Sequence, residues 1–208
     1  MNDLYVNKLD RTDRDMIMSM IPEKARVLDL GSGNCSLLAD LVARKQVVGF
    51  GVDIDGESLV DGLSSGISTY HGDLDEGLSD FPDDSFDYVI LNQTLQVVKH
   101  PLLVITEMLR IGEFGIVGFP NFGHWRMRLG LLLKGRAPKS PALPFEWFNT
   151  PNIRQLTVKD MRDYCQREHI KIIREHYLFG SSWYQTRLLH PYANIFAHIG
   201  LFVITRIS

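Results

Sequence analysis

Cysteine is scarce in this chain. Cys35 and Cys165 are the only two among 208 residues, and neither has a CxxC partner or a histidine at ligand spacing. That excludes a disulfide scaffold and a thiolate metal site, and predicts free, mostly buried thiols in a reducing compartment. Long apolar runs are missing too: "LGLLL" and "IGLFVI" are the most apolar stretches, well short of the roughly 20 residues of a bilayer-spanning helix. The N-terminal "MNDLYVNKLDRTDRDM" mixes both charge signs and has no leader-like apolar core. A soluble, cytoplasmic protein without a membrane partner is therefore expected. There is no excess of positive charge, and a net charge of -3 argues against nucleic acid as a partner. The seven histidines never form HxH or HExxH, which predicts no metal site.

What is present is alternation. Short apolar runs and helical periodicity take turns along the chain, the pattern of an α/β fold with a mostly parallel sheet. At 45% hydrophobic, 208 residues supply one sizeable core, and the whole of 1–208 reads as a single domain. Strands are predicted at 25–30, 47–53, 68–73, 86–92 and 114–121. Helices are predicted at 11–21, 36–45, near 57–65 and at 101–111, the last with Pro101 at its first position. Residues 122–156 carry four of the five prolines between Pro120 and Pro151 and read as an irregular lid or interface segment. A final helix opens at Thr157, whose spacing to Asp160 matches a capping box, and strands at 170–179 and 199–207 close the chain.

The chemistry concentrates at "LDLGSGNC" (28–35). A strand ending in Gly-x-Gly brings backbone N–H groups and a helix N-terminus to one point, and glycine lets a ligand approach the backbone closely. Asp53 lies twenty positions after Gly33 at the end of the next strand, where a carboxylate can accept from both hydroxyls of a ribose. Asp73 ends the third strand, where an acceptor can read an adenine amino group. Each piece alone has a plainer reading, as a tight turn, a helix cap or part of a solvated acidic loop. In order at consecutive strand ends they point to a nucleoside-type site. A dinucleotide fingerprint needs glycine where Ser36 stands, whereas D-x-G-x-G-x-G matches at Asp29, Gly31 and Gly33 and fails only at Cys35. S-adenosylmethionine or S-adenosylhomocysteine is the better fit. The expected cofactor-binding set is Asp29, Gly31, Ser32, Gly33, Asp53, Ile54, Asp73, Leu74 and Asn92.

Four further runs carry a family resemblance: "DLDEGLSDFPDDSFDYVILNQTLQ" (73–96), "FPNFGHWR" (119–126), "LPFEWFNTPNIR" (143–154) and "LTVKDMRDYC" (156–165). Together they resemble the methionine biosynthesis protein MetW family, over about residues 13 to 180. The resemblance implies a Rossmann-like class I S-adenosylmethionine-dependent methyltransferase fold: a mostly parallel seven-stranded sheet with one antiparallel strand and helices on both faces. It also implies a role in methionine synthesis beside a homoserine O-acyltransferase partner. Family members commonly carry Gly-Cys-Gly-Asp-Gly in the loop, and this chain has Gly31-Ser32-Gly33-Asn34-Cys35. The replacement at Cys35 is expected to cost little if that residue adopts helical dihedrals in the first turn.

A methyl acceptor would sit beyond strands four and five, near Asn92 to Gln96 and Asn121 to Trp125. His124 is the one candidate there for proton transfer, with a hydrogen-bonding loop residue as its plainer reading. Residues 114–145 hold Arg126, Arg128, Lys134, Arg136 and Lys139 without an Asp or Glu. This is a site for RNA or an anionic substrate, a docking face for an acidic partner or a solvated rim, with RNA ranked last because the net charge is negative. Two functions stay open: an accessory protein that binds the cofactor and docks the acyltransferase through 122–154, and a small-molecule methyltransferase. An NAD-dependent oxidoreductase is a third reading.

Overall fold

The computed structural model describes residues 12–140, 143–180, 182–185 and 190–207. The segment 1–11, read above as part of a charged start without a leader, lies outside them. Helix α1 (residues 12–20) leads into β1 (Arg26–Leu30), α2 (Ser36–Lys45), β2 (Val48–Asp53), α3 (Gly56–Ser64) and β3 (Ser68–His71). A 3-10 turn (Leu74–Glu76) precedes β4 (Phe86–Asn92), α4 (Pro101–Ile111) and β5 (Gly112–Pro120). Then follow α5 (Trp125–Lys134), α6 (Val158–Arg167), β6 (Ile170–Phe179), β7 (Ser182–Tyr184), α7 (Ala193–Phe196) and β8 (Ile199–Arg206).

The near-continuous apolar runs form strands because helices cover both faces of the sheet. Side chains alternate accordingly. Leu28, Leu30, Val89 and Leu91 enter one core with residues of α4 and α6. Val27 and Ile90 enter the other, with α1, α2 and Leu59 of α3. Capping fixes the helix starts. Asp55 accepts from Glu57 N–H at α3, Pro101 opens α4, and Thr157 and Asp160 form a reciprocal capping box at α6.

The sheet order is β3-β2-β1-β4-β5-β8-β6-β7. Strands β1 to β5 pair in parallel, and β8 runs antiparallel between β5 and β6. This is the expected seven-stranded sheet with one antiparallel strand, and the short β7 adds an eighth at the edge by pairing back on β6. The 122–156 segment differs from expectation: Trp125–Lys134 is a regular ten-residue helix, closed by Gly135 at φ 56. Among the described residues, no helix is long and apolar enough to cross a membrane. Both cysteines are free and buried.

Candidate functional site

Strands β1 and β4 are neighbours, but the chain leaves β1 toward β2 and leaves β4 toward β5. Their carboxyl ends therefore flank a crevice that no connection crosses, the usual ligand position in an open α/β sheet. The loop after β1 enters that crevice. Its residues 31, 33 and 35 all adopt left-handed backbone, at φ 75, 51 and 57. Gly31 and Ser32 donate their N–H groups to Val52 O at 2.8 and 3.0 Å, tying the loop to β2. Gly31 also has no room for a side chain, since a Cβ there would stand 2.4 Å from Thr94 Oγ1.

The left-handed Cys35 overturns the expectation of helical dihedrals. It is the N-cap of α2, where a non-glycine residue costs about 1–2 kcal/mol. The loop tolerates it because the thiol has a prepared seat. Cys35 is fully buried, and a Cβ on Gly51 or Gly62 would lie 2.8 or 2.7 Å from its Sγ. The side chain thus packs against β2 and α3, and its Sγ approaches Ser32 Oγ at 3.4 Å. Burial raises its pKa. The crevice floor stays open despite the missing glycine.

Asp53 is already at work in the loop: its Oδ2 accepts from Gly33 N–H at 2.6 Å and its Oδ1 from Asp55 N–H at 2.9 Å. Each oxygen keeps a further lone pair. Asp73 caps the 3-10 turn by accepting from Asp75 N–H at 2.9 Å. Asp75 in turn accepts from the N–H groups of Lys99 and His100 at 2.9 and 2.6 Å, which draws the turn after β4 toward the crevice. The resulting cavity measures about 320 Å³ and is lined by Gly31, Asp53, Ile54, Asp73 and Leu74 from the expected set. Asp75, Thr94, Val97, Val98 and Lys99 complete the lining. Thr94 had been placed with the acceptor region, and the other four were missed. For Val97, Val98 and Lys99 the position soon after β4, beside the switch between β1 and β4, was the available signal, and for Asp75 it was the place next to Asp73 and Leu74 in the turn after β3. A cavity of about 380 Å³ between α4 and α6 is larger but does not touch the strand ends.

The other expected residues lie outside that lining. Asp29 sits on β1, 4% exposed. Burial, and then the charge of Asp53, pushes it up to about 7. Ser32 turns its hydroxyl to Cys35. Asn92 packs against Gly118, where a Cβ would meet its Oδ1 at 2.1 Å, and that buried oxygen has no hydrogen-bond partner. His124 is buried as the N-cap of α5: its Nδ1 accepts from Arg126 N–H at 3.2 Å, and its ring stacks on His198 with centroids 4.2 Å apart. Burial, then the charges of His198 and Arg126, lowers its pKa to about 4, so the ring is neutral at physiological pH.

Comparison with known proteins agrees with this architecture. A methyltransferase from Thermotoga maritima, described as S-adenosylmethionine-dependent, matches with a TM-score of 0.69 at 16% identity. It covers 98% of this chain and 92% of its own. The methyltransferase solved in complex with the Haloferax volcanii Trm112 methyltransferase activator matches at 0.68 and 16%, covering 99% and 95%. At such identities the likeness shows the fold. Sequence carries more. A bifunctional methionine biosynthesis protein MetXA/MetW from Rhodopirellula baltica is 40% identical over 172 residues, which span 78% of this chain and 28% of that relative. The family model for methionine biosynthesis protein MetW matches residues 11–204. The chain belongs to the MetW family of methionine biosynthesis proteins.

Proposed function

We propose that the crevice binds S-adenosylmethionine or S-adenosylhomocysteine, and that the chain supports a homoserine O-acyltransferase in methionine synthesis. The observation that carries the cofactor reading is the cavity of about 320 Å³, where a glycine loop, two strand-end aspartates and apolar walls converge. It is within the size range of small-molecule sites. Asp53 would take the ribose hydroxyls on its free lone pairs. Ile54, Leu74, Val97 and Val98 would hold the flat faces of an adenine, with Asp73 facing its amino group. Gly31 would let the ligand lie against the backbone, with Ser32, Gly33 and Asn92 around the same end. The buried charge of Asp29 would be answered by the cationic methionine end. The bound group would supply an electrophilic methyl on a sulfonium.

The partner reading draws on the Rhodopirellula relative, whose name joins MetXA to MetW in one polypeptide. Its test is the acyltransferase rate of the same organism's homoserine O-acyltransferase, measured alone and with this chain, with and without S-adenosylmethionine. A higher rate for the pair is expected, and equal rates would remove the reading. The alternative is a small-molecule methyltransferase, favoured by the fold it shares with the Thermotoga enzyme. His124, the candidate base, would first have to give up its cap, since its Nδ1 lone pair accepts from Arg126 N–H. Labelled cofactor that transfers nothing to a metabolite in cell extract would count against that alternative.

A further inference from the structure

Helix α5 presents its apolar stripe to solvent. Trp125, Leu129, Leu132 and Leu133 follow the i, i+4, i+7, i+8 spacing that normally marks a buried helix face. Here they are exposed, Leu132 and Leu133 by 78% and 76%, while Met127 is the only buried residue of the helix. The chain then returns beneath it. Pro138 lies where a Cβ on Gly130 would touch it at 3.4 Å, and the same arm carries Trp147, 77% exposed, and Phe148, 68% exposed. Lone exposed apolar residues need no explanation, but a whole stripe beside two protruding aromatics marks an interaction surface.

Charge says what kind of partner fits. Arg126 and Arg128 flank the stripe on α5, Lys134, Arg136 and Lys139 follow in the last turn and the arm after it, and the first acid after them, Glu146, is paired with Lys139. A second copy of this chain is a poor match, because its acid-rich 72–87 segment is already engaged at home. Asp83 pairs with Arg110, Asp84 with Arg206 and Asp87 with Arg26, and Asp80 accepts from Tyr70. The fused relative shows that a MetW chain can be tethered to a second polypeptide.

We propose that α5 and Trp147–Phe148 form the docking face for a protein partner with an apolar centre and an acidic rim. This rests on the reading of the partner as the homoserine O-acyltransferase. The face begins a few residues after β5.

The test compares binding of the intact acyltransferase to wild-type chain and to the double variant Leu132→Ser/Leu133→Ser, at low and high salt. The proposal expects at least tenfold weaker binding by the double variant, with unchanged circular dichroism and unchanged S-adenosylmethionine titration. A second variant, Lys134→Glu/Arg136→Glu, is expected to bind more weakly and to lose most of the salt dependence. If wild type binds and both variants bind equally well, the surface assignment fails while the functional reading stands. If wild type does not bind the acyltransferase at all, the functional reading itself fails. Flotation with vesicles of phosphatidylcholine and phosphatidylglycerol adds a last outcome. Vesicle binding that the Leu132→Ser/Leu133→Ser variant abolishes, without acyltransferase binding, would overturn the proposal in favour of a membrane surface.

Discussion

Replacing Asp29 with asparagine removes a buried charge while keeping its shape, and the structure sets the size of the effect. In the unfolded chain this carboxyl titrates near 3.8, and in the fold near 7. Well below pH 3.8 both states hold the proton and the residue contributes no difference. Between about pH 4 and 7 the folded state binds more protons than the unfolded one, so each rise in pH favours unfolding. The accumulated cost at pH 8 has a ceiling of about 4 kcal/mol, at about 1.4 kcal/mol for each tenfold change in proton affinity. Local relaxation around the charge brings the expectation to about 1–3 kcal/mol. Urea denaturation without ligand should therefore find Asp29→Asn more stable than wild type at pH 8, with the gap shrinking toward zero by pH 4. The same variant should bind S-adenosylmethionine at least tenfold more weakly, because the cationic methionine end loses its counter-charge. In the wild type, binding near pH 6.5 should release protons, visible as a dependence of calorimetric heat on buffer ionisation enthalpy. A variant less stable than wild type at pH 8, or a gap that does not vary with pH, would refute this account of Asp29.

Gly31→Ala forces a Cβ to within 2.4 Å of Thr94 Oγ1 at φ 75, so thermal unfolding should show a loss of about 2 kcal/mol or more and titration a large loss of cofactor affinity. At Cys35, glycine relieves left-handed strain but forfeits thiol packing, whereas alanine keeps the strain and loses the sulfur. Denaturation should rank Cys35→Ala clearly below Cys35→Gly, which should lie within about 1 kcal/mol of wild type. His124 is held below its usual 6.5, at about 4, so the unfolded chain binds more protons in that window and stability falls as pH drops from 6.5 toward 4. His124→Asn, which keeps a capping acceptor, should flatten that acid limb in urea titrations across pH 4 to 7.

The sheet and the glycine loop were legible because their signals are local. Runs such as "FDYVILN" can only be strands buried on two faces, and Gly31, Gly33, Asp53 and Asp73 fall at consecutive strand ends. The 101–111 helix likewise carried its own start at Pro101. Helix α5 was hidden by its own chemistry, since Gly130 interrupts it and an apolar stripe facing solvent matches no core of this chain. Strand β7, three residues long, exists by virtue of pairing with β6 and has no pattern to read. The left-handed Cys35 had no signal in its residue type, because its tolerance depends on Gly51 and Gly62, 16 and 27 positions away in sequence. Thr94, Val97, Val98 and Lys99 reach the cavity only because Asp75 holds the turn after β4 by two N–H groups, a tertiary bond between distant segments.

The central claim is that the crevice is an S-adenosyl site, and calorimetric titration tests it most directly. S-adenosylmethionine, S-adenosylhomocysteine and NAD would each be titrated into wild type and Gly33→Val. A Cβ on Gly33 meets nothing within 4 Å, but its φ of 51 disfavours a branched residue, so valine should disturb the loop and spare the core. The account predicts saturable one-to-one binding of the first two ligands to wild type, its loss in the variant, and no saturable heat with NAD. A folded wild type that takes up neither S-adenosyl ligand, or that binds NAD alone, would contradict it.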